Sequence, residues 1–309
     1  MEKVTTVLEI IVPIFAAVFL GMWARKNKKI SEEENRGFQQ FVINFGLPCI
    51  LFNSCLNGKI GMESVTTMLL VFPMILFSSL WAFKARKKKY PYYNLPLLFS
   101  AQESGMLGIP LYMTLFGIEN AYRVGVLDIT QSLICVPVIA ILAADTGENP
   151  KPIYLLKKVF RSPLLLMSMT GLLLNLTGGG DWLNQIGVGS VITETTSFIA
   201  QPVSAVILFS VGYNFSMSRE NRKPILEICG IHFVMYAVFC VILLGVMSLI
   251  PGTEMETKWA ILLYCTLPTS YLGPGFGKSK EERAVASSVC SLLTVVSLIV
   301  FCIAAAAVA

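Results

Sequence analysis

The chain has 309 residues, 55% apolar and only 14% charged, against roughly 25% charged in a soluble domain. Its formal net charge of +5 fits either nucleic acid or the connectors of a membrane protein, and the position of the charges decides between them. The apolar residues run in long blocks rather than at a period of 2 or 3.6, which excludes ordinary soluble domains and points to one all-α integral membrane domain.

Crossing the hydrocarbon core takes about 20 mostly apolar residues. Ten segments answer to that: 5–24, 37–56, 64–83, 93–116, 124–143, 160–176, 191–215, 225–249, 259–276 and 284–308. The first has one Lys before it and a basic cluster after it, the reverse of a secretory signal, so it is read as an uncleaved helix. The second carries Gly46-Leu47-Pro48 and the seventh Gln201-Pro202, each either a simple kink or part of a site. In the fourth, Ser100, Gln102, Glu103 and Ser104 precede the breaker run Gly105-Met106-Leu107-Gly108-Ile109-Pro110. In the ninth, Thr266, Pro268, Thr269, Ser270 and Tyr271 precede Gly273-Pro274-Gly275. The eight cysteines all fall inside apolar stretches with no CxxC spacing, so they read as packing residues, with no disulfide framework and no metal site.

The connectors settle the meaning of the charge. Alternate ones carry 5, 5, 4, 3 and 3 basic residues, counting Arg161 at the very start of the sixth segment with the connector before it, and every other connector or terminus carries one or none. Basic loops stay on the cytoplasmic side. The alternation therefore supports ten spans independently of hydropathy, places both termini outside, and removes nucleic acid as the expected partner.

Ten spans divide into two halves of five, 1–150 and 151–309, and an odd number per half forces the second to insert upside down. The fourth and ninth segments, each fourth in its half, are the most interrupted. Freed backbone groups at membrane depth are tolerated only where they are buried or line a cavity. Paired breaks of this kind mark a solute site where the two helices cross, and half-helix N-termini there favour an anionic group such as a carboxylate.

Ionisable groups at that depth are costly, and so are functional candidates. Glu103 leads: it could exchange a proton, bind a cation such as sodium, or pair with a buried base. Asp128 shares a helix face with Gln131. His232, the lone histidine, is either a proton-linked switch or a buried neutral group, and Glu9 lies close enough to a segment end to reach the interface. An ionised Glu103 would repel an anion, so either it is protonated, a cation intervenes, or the solute carries a positive group.

The runs Phe41-Val42-Ile43-Asn44-Phe45-Gly46-Leu47-Pro48, Gly105-Met106-Leu107-Gly108-Ile109-Pro110-Leu111 and Leu115-Phe116-Gly117, with a proline-bearing ninth segment, resemble the auxin efflux carrier family. That family includes plant auxin carriers and bacterial organic-acid permeases. The resemblance implies ten transmembrane helices in two inverted five-helix repeats with broken, crossing fourth and ninth helices, similar to bile-acid sodium symporters, and extracellular termini. By position, Gln102, Glu103, Gly108 and Pro110 match the first crossover and Pro268 with its neighbours the second. Members of the family often have Asn where this chain has Gln102-Glu103, so an indole or simple dicarboxylate solute does not follow. The short connector 144–152 suits a compact bacterial type in the cell membrane.

These readings converge on a secondary carrier, not an enzyme, that moves a small organic anion by alternating access. Candidate solute-binding residues are Asn44, Pro48, Gln102, Glu103, Gly105, Gly108, Pro110, Thr266, Pro268, Thr269 and Ser270. Glu103, Asp128 and His232 are candidates for coupling. No cofactor is expected beyond a coupling sodium ion or proton. The expected partners are the solute and the lipid bilayer, with a homodimer left open. The alternative is a membrane sensor that binds a ligand at the same crossover without moving it. The absence of a GxxxxGK[ST] motif argues against direct ATP hydrolysis.

Overall fold

The computed structural model describes residues 2–144, 161–217 and 221–308. Its elements, in order, are α1 (Glu2–Lys26), α2 (Glu32–Phe41), a π-helical turn (Val42–Gly46) leading into α3 (Leu47–Asn57), and α4 (Met62–Lys88). Then come α5 (Leu95–Ser100), a second π-helical turn (Ser104–Gly108), α6 (Ile109–Phe116), and α7 (Tyr122–Ala144) after a short 3-10 turn. The second half holds α8 (Pro163–Leu176), α9 (Gly179–Gln185), α10 (Val188–Ala200), α11 (Val203–Asn214), α12 (Arg222–Leu249), α13 (Met255–Thr266), a 3-10 turn (Gly273–Phe276) and α14 (Lys280–Val308).

Among the described residues, six stretches are long and apolar enough to cross a membrane: Val7–Lys26, Met62–Lys88, Ile118–Leu142, Val188–Asn214, Arg222–Leu249 and Lys280–Val308. The chain is therefore an all-helical, multi-pass membrane protein. The other four predicted segments are short or interrupted helices at their expected places. The second starts on three glutamates and passes through a π turn, the sixth is the 14-residue α8, and the fourth and ninth are broken. The connector expected after residue 144 and the predicted start at Phe160 lie outside the described residues.

Both π turns have the same cause. Each runs straight into a Gly-x-Pro, at Gly46-Leu47-Pro48 and Gly108-Ile109-Pro110, and each closes with an i to i−5 bond, Leu47 N–H to Val42 O and Ile109 N–H to Ser104 O. Proline has no N–H for the carbonyl four residues back, so a wider turn absorbs the mismatch.

The helices sort into two bodies. A panel is built from α1, α2–α3, α8 and α10–α11, in which α1 packs chiefly on α11 and α8 on α3. Each contact joins the first helix of one half to a helix of the other. Glycines permit the approach: a Cβ on Gly21 would run into Phe209 O, one on Gly212 into Val18 O, and one on Gly171 into Phe52 O at 2.5 Å. Close backbone packing of this kind supplies dispersion contacts where lipid gives no hydrophobic drive between helices. The second body, a core of α4–α7 and α12–α14, contains both broken segments.

At one end of the core Arg123, only 6% exposed, is held by Glu254, Glu63 and Thr257, with the Glu63 carboxylate at 3.4 Å. In the panel, Arg25 donates to Phe215 O at 2.8 Å, placing a cation on the carbonyls that end α11.

Candidate functional site

The two broken segments meet backbone to backbone. Gln102 and Thr269 form an isolated antiparallel bridge, with Glu103 N–H donating to Pro268 O at 2.8 Å and Ser270 N–H to Ala101 O at 3.0 Å. This pairing satisfies the groups that the breaks set free. The chain is already extended at Ala101, so the first break begins four residues before Gly105, where the sequence places it, and Glu103 lies within it. The cause is the partner strand at 268–270, which no local pattern announces.

Side chains lock the crossing. Gln131 accepts from Gln102 N–H at 2.8 Å and from Tyr264 Oη at 2.9 Å, while its amide donates to Gln102 O at 2.9 Å and to Ser104 Oγ at 2.7 Å. Ser104 donates to Asp128 Oδ1 at 2.5 Å. Glu103 accepts the Tyr271 N–H at 2.6 Å, so the carboxylate of one broken helix occupies the backbone donor of the other. The Gln102 amide is best satisfied with its nitrogen on Leu267 O and Pro268 O and its oxygen toward His232 Nε2 at 3.2 Å and Tyr236 Oη at 2.9 Å. That arrangement requires a proton on Nε2.

Between panel and core lies a cavity of about 630 Å³. The core contributes Gln102, Glu103, Gly105, Asp128, Gln131, Ser132, Ser270 and Tyr271, and the panel contributes Gln39, Asn214 and Phe215. The core also contributes the hydroxyl stripe of α14, Ser287, Ser291 and Thr294. Glu103 is 8% exposed. Among the described residues no Lys, Arg or His lines the cavity. The panel residues Asn214 and Phe215 sit where α11 ends beside Arg25, and Pro274 and Ser287 sit near Lys278 and Lys280, so the cavity lies toward the basic connectors.

Of the residues singled out from sequence, Gln102, Glu103, Gly105, Asp128 and Ser270 line this cavity together. Thr269 and Pro268 lie in the crossing itself, the Thr269 hydroxyl buried without a partner among the described residues. Gly108 faces the second crossing segment, where a Cβ would meet Leu267 Cδ1 at 2.7 Å. Pro48 and Pro110 are buried in their helices, and the Thr266 hydroxyl turns back to Leu263 O. His232 stands behind Gln102, stacked on Tyr236 with ring centroids 4.6 Å apart, and is not part of the lining. Asn44 and Glu9 are exposed and do not line the cavity. Sequence reasoning missed Gln39, Asn214 and the α14 hydroxyls. The last carry a readable signal, since positions 287, 291 and 294 fall on one helix face.

Residues 6–151 match the membrane transport protein family. The match to this family covers the stretch that holds Gln102, Glu103, Asp128 and both Gly-x-Pro motifs. Curated relatives agree with it. The chain is 22% identical over 228 residues to the uncharacterized transporter YfdV of Escherichia coli (strain K12), an alignment covering 68% of this chain and 70% of that protein. It is 23% identical over 234 residues to an uncharacterized transporter of Methanothermobacter thermautotrophicus, covering 73% and 74%. Together with the multi-pass fold, these similarities to the membrane transport protein family support a membrane transporter.

Proposed function

We propose that the protein is a secondary carrier that exposes its crossover alternately to the two sides of the membrane. The observation that carries this reading is the position of the cavity: one wall is panel and the other is crossing core, so moving the core against the panel would carry the same polar groups from one side to the other. Ten spans in two inverted repeats, 1–150 and 151–309, are supported by the reciprocal packing of α1 on α11 and α8 on α3 and by the alternation of basic connectors. With the basic connectors cytoplasmic, both termini lie outside the cell membrane and this state faces inward.

The solute is a small organic molecule held among hydroxyls, amides and two carboxylates. A carboxylate on that solute would reach the crossover with a proton or a coupling cation, because Glu103 and Asp128 already place negative charge there. The sodium ion or proton of the coupling step is assigned to those same two groups. Purified protein in liposomes loaded with unlabelled solute tests the proposal: it should accelerate uptake of the labelled solute by counterflow. Saturable binding without flux would sink the carrier reading and leave a receptor.

A further inference from the structure

Resting on the carrier reading, we infer that the solute presents a protonated nitrogen to the Glu103 and Asp128 wall, as an amine or a zwitterion rather than a simple carboxylate. Three features of the cavity support this. Among the described residues the lining holds two carboxylates and no basic side chain, so a bare anion meets repulsion and no counter-charge from them. A backbone donor at the crossover, Tyr271 N–H, is already taken by Glu103 at 2.6 Å, so the protein fills an anion position of its own. Further polar groups on the walls, among them Ser132, Ser287 and Gln39, each have an oxygen that can accept from N–H groups, and each of these groups can donate as well. An ammonium, with three donors and no acceptor, matches that set.

The two carboxylates need not act alike. Asp128 has Oδ1 engaged by Ser104 and Gln131, at 2.5 and 3.0 Å, which fixes its position in the wall. Glu103 sits in the break itself, next to the short bridge that joins the two broken segments at Gln102 and Thr269. A cation bound to Glu103 therefore bears directly on the element that separates the two half-helices.

Thermal unfolding of the purified, full-length protein in detergent tests the inference apart from transport. Propylamine, putrescine and β-alanine are compared with propionate and succinate at matched ionic strength. The amine-bearing compounds should raise the unfolding temperature, and Glu103→Gln and Asp128→Asn should each weaken that binding roughly 30-fold or more, the loss expected when one partner of a buried charge pair is removed. Stabilisation by propionate and succinate alone overturns the inference, as does amine binding that survives both substitutions or an absence of any amine effect. Amine binding with no flux in liposomes overturns the carrier reading instead. Each variant is first checked for a single peak in size-exclusion chromatography, and the two substitutions at separate positions guard against one that fails to fold.

Discussion

The carboxylate of Glu103 accepts the backbone N–H of Tyr271 at 2.6 Å, linking the broken fourth segment to the broken ninth across 168 positions of sequence. A charge from one half thus completes the hydrogen bonding of the other, at the place where solute is proposed to bind.

Glu103→Gln isolates that charge. The amide oxygen can still accept the Tyr271 N–H, so the crossing stays closed and the protein should remain monodisperse. Flux in proteoliposomes should fall about tenfold or more and lose its dependence on an imposed proton or sodium gradient. Unchanged, gradient-dependent flux would remove Glu103 from the mechanism.

Gln131 has the opposite profile, with little charge and many bonds. Gln131→Leu leaves the buried Gln102 N–H and the Tyr264 hydroxyl without their acceptor. The expected cost is about 1–3 kcal/mol, the price of a buried unsatisfied group. It would be read as a lowered unfolding temperature in detergent.

Two glycines should respond in opposite directions to alanine. Gly212→Ala pushes a methyl into Val18 O at the seam of α1 and α11, and overpacking there should destabilise by about 1–3 kcal/mol. Gly230, on α12, has nothing within 4 Å of the position a Cβ would take. Gly230→Ala should be neutral or stabilising by up to roughly 1 kcal/mol, since alanine is the better helix former. Unfolding temperatures of the pair measure the difference.

Arg123 is buried and pairs with two partly exposed carboxylates, Glu63 of α4 and Glu254 at the start of α13, so Arg123→Met removes the partner of both. Water reaches both carboxylates, so the expected cost is about 1–3 kcal/mol. The double replacement Glu63→Gln with Arg123→Met should recover part of the loss in the same melting assay, and a double variant no better than the single would argue against charge pairing.

On the connector before α2, Ser31 and Glu34 form a reciprocal cap, with Ser31 N–H donating to the carboxylate at 2.7 Å. These bonds from Ser31, backbone first, hold the Glu34 carboxyl below its ordinary value of 4.5. The cap therefore contributes its stability above that value and loses it as pH falls through the lowered one. Hydrogen exchange at residues 32–35, corrected for intrinsic rates, should speed up on acidification below about pH 4.5 in the native chain and much less in Ser31→Ala.

Much of the fold is legible in the sequence because lipid imposes one long apolar run per crossing. The interrupted segments and the Gln102, Glu103 and Asp128 cluster are legible too, because breakers and charges are expensive at that depth. What was not legible depends on contacts between distant residues. The first break starts at Ala101 because it pairs with 268–270, and neither stretch alone advertises the other. Asn44 is on the outer surface because it lies inside a π turn, where an extra residue rotates the helix face away from a regular reading. Gln39 and Asn214 joined the site only once the panel was assembled around it.

The exchange of first helices between the halves has a consequence for how such a chain is made. α1 finds its main partner only when α11 has been synthesised, and α3 finds its own only when α8 has. Until α13 follows, Gln102 and Glu103 sit in the bilayer without the carbonyls and N–H groups that will pair with them. The nascent first half is thus an open intermediate with polar groups at membrane depth. It depends on the insertion machinery, or on water held against it, to wait for the rest of the chain.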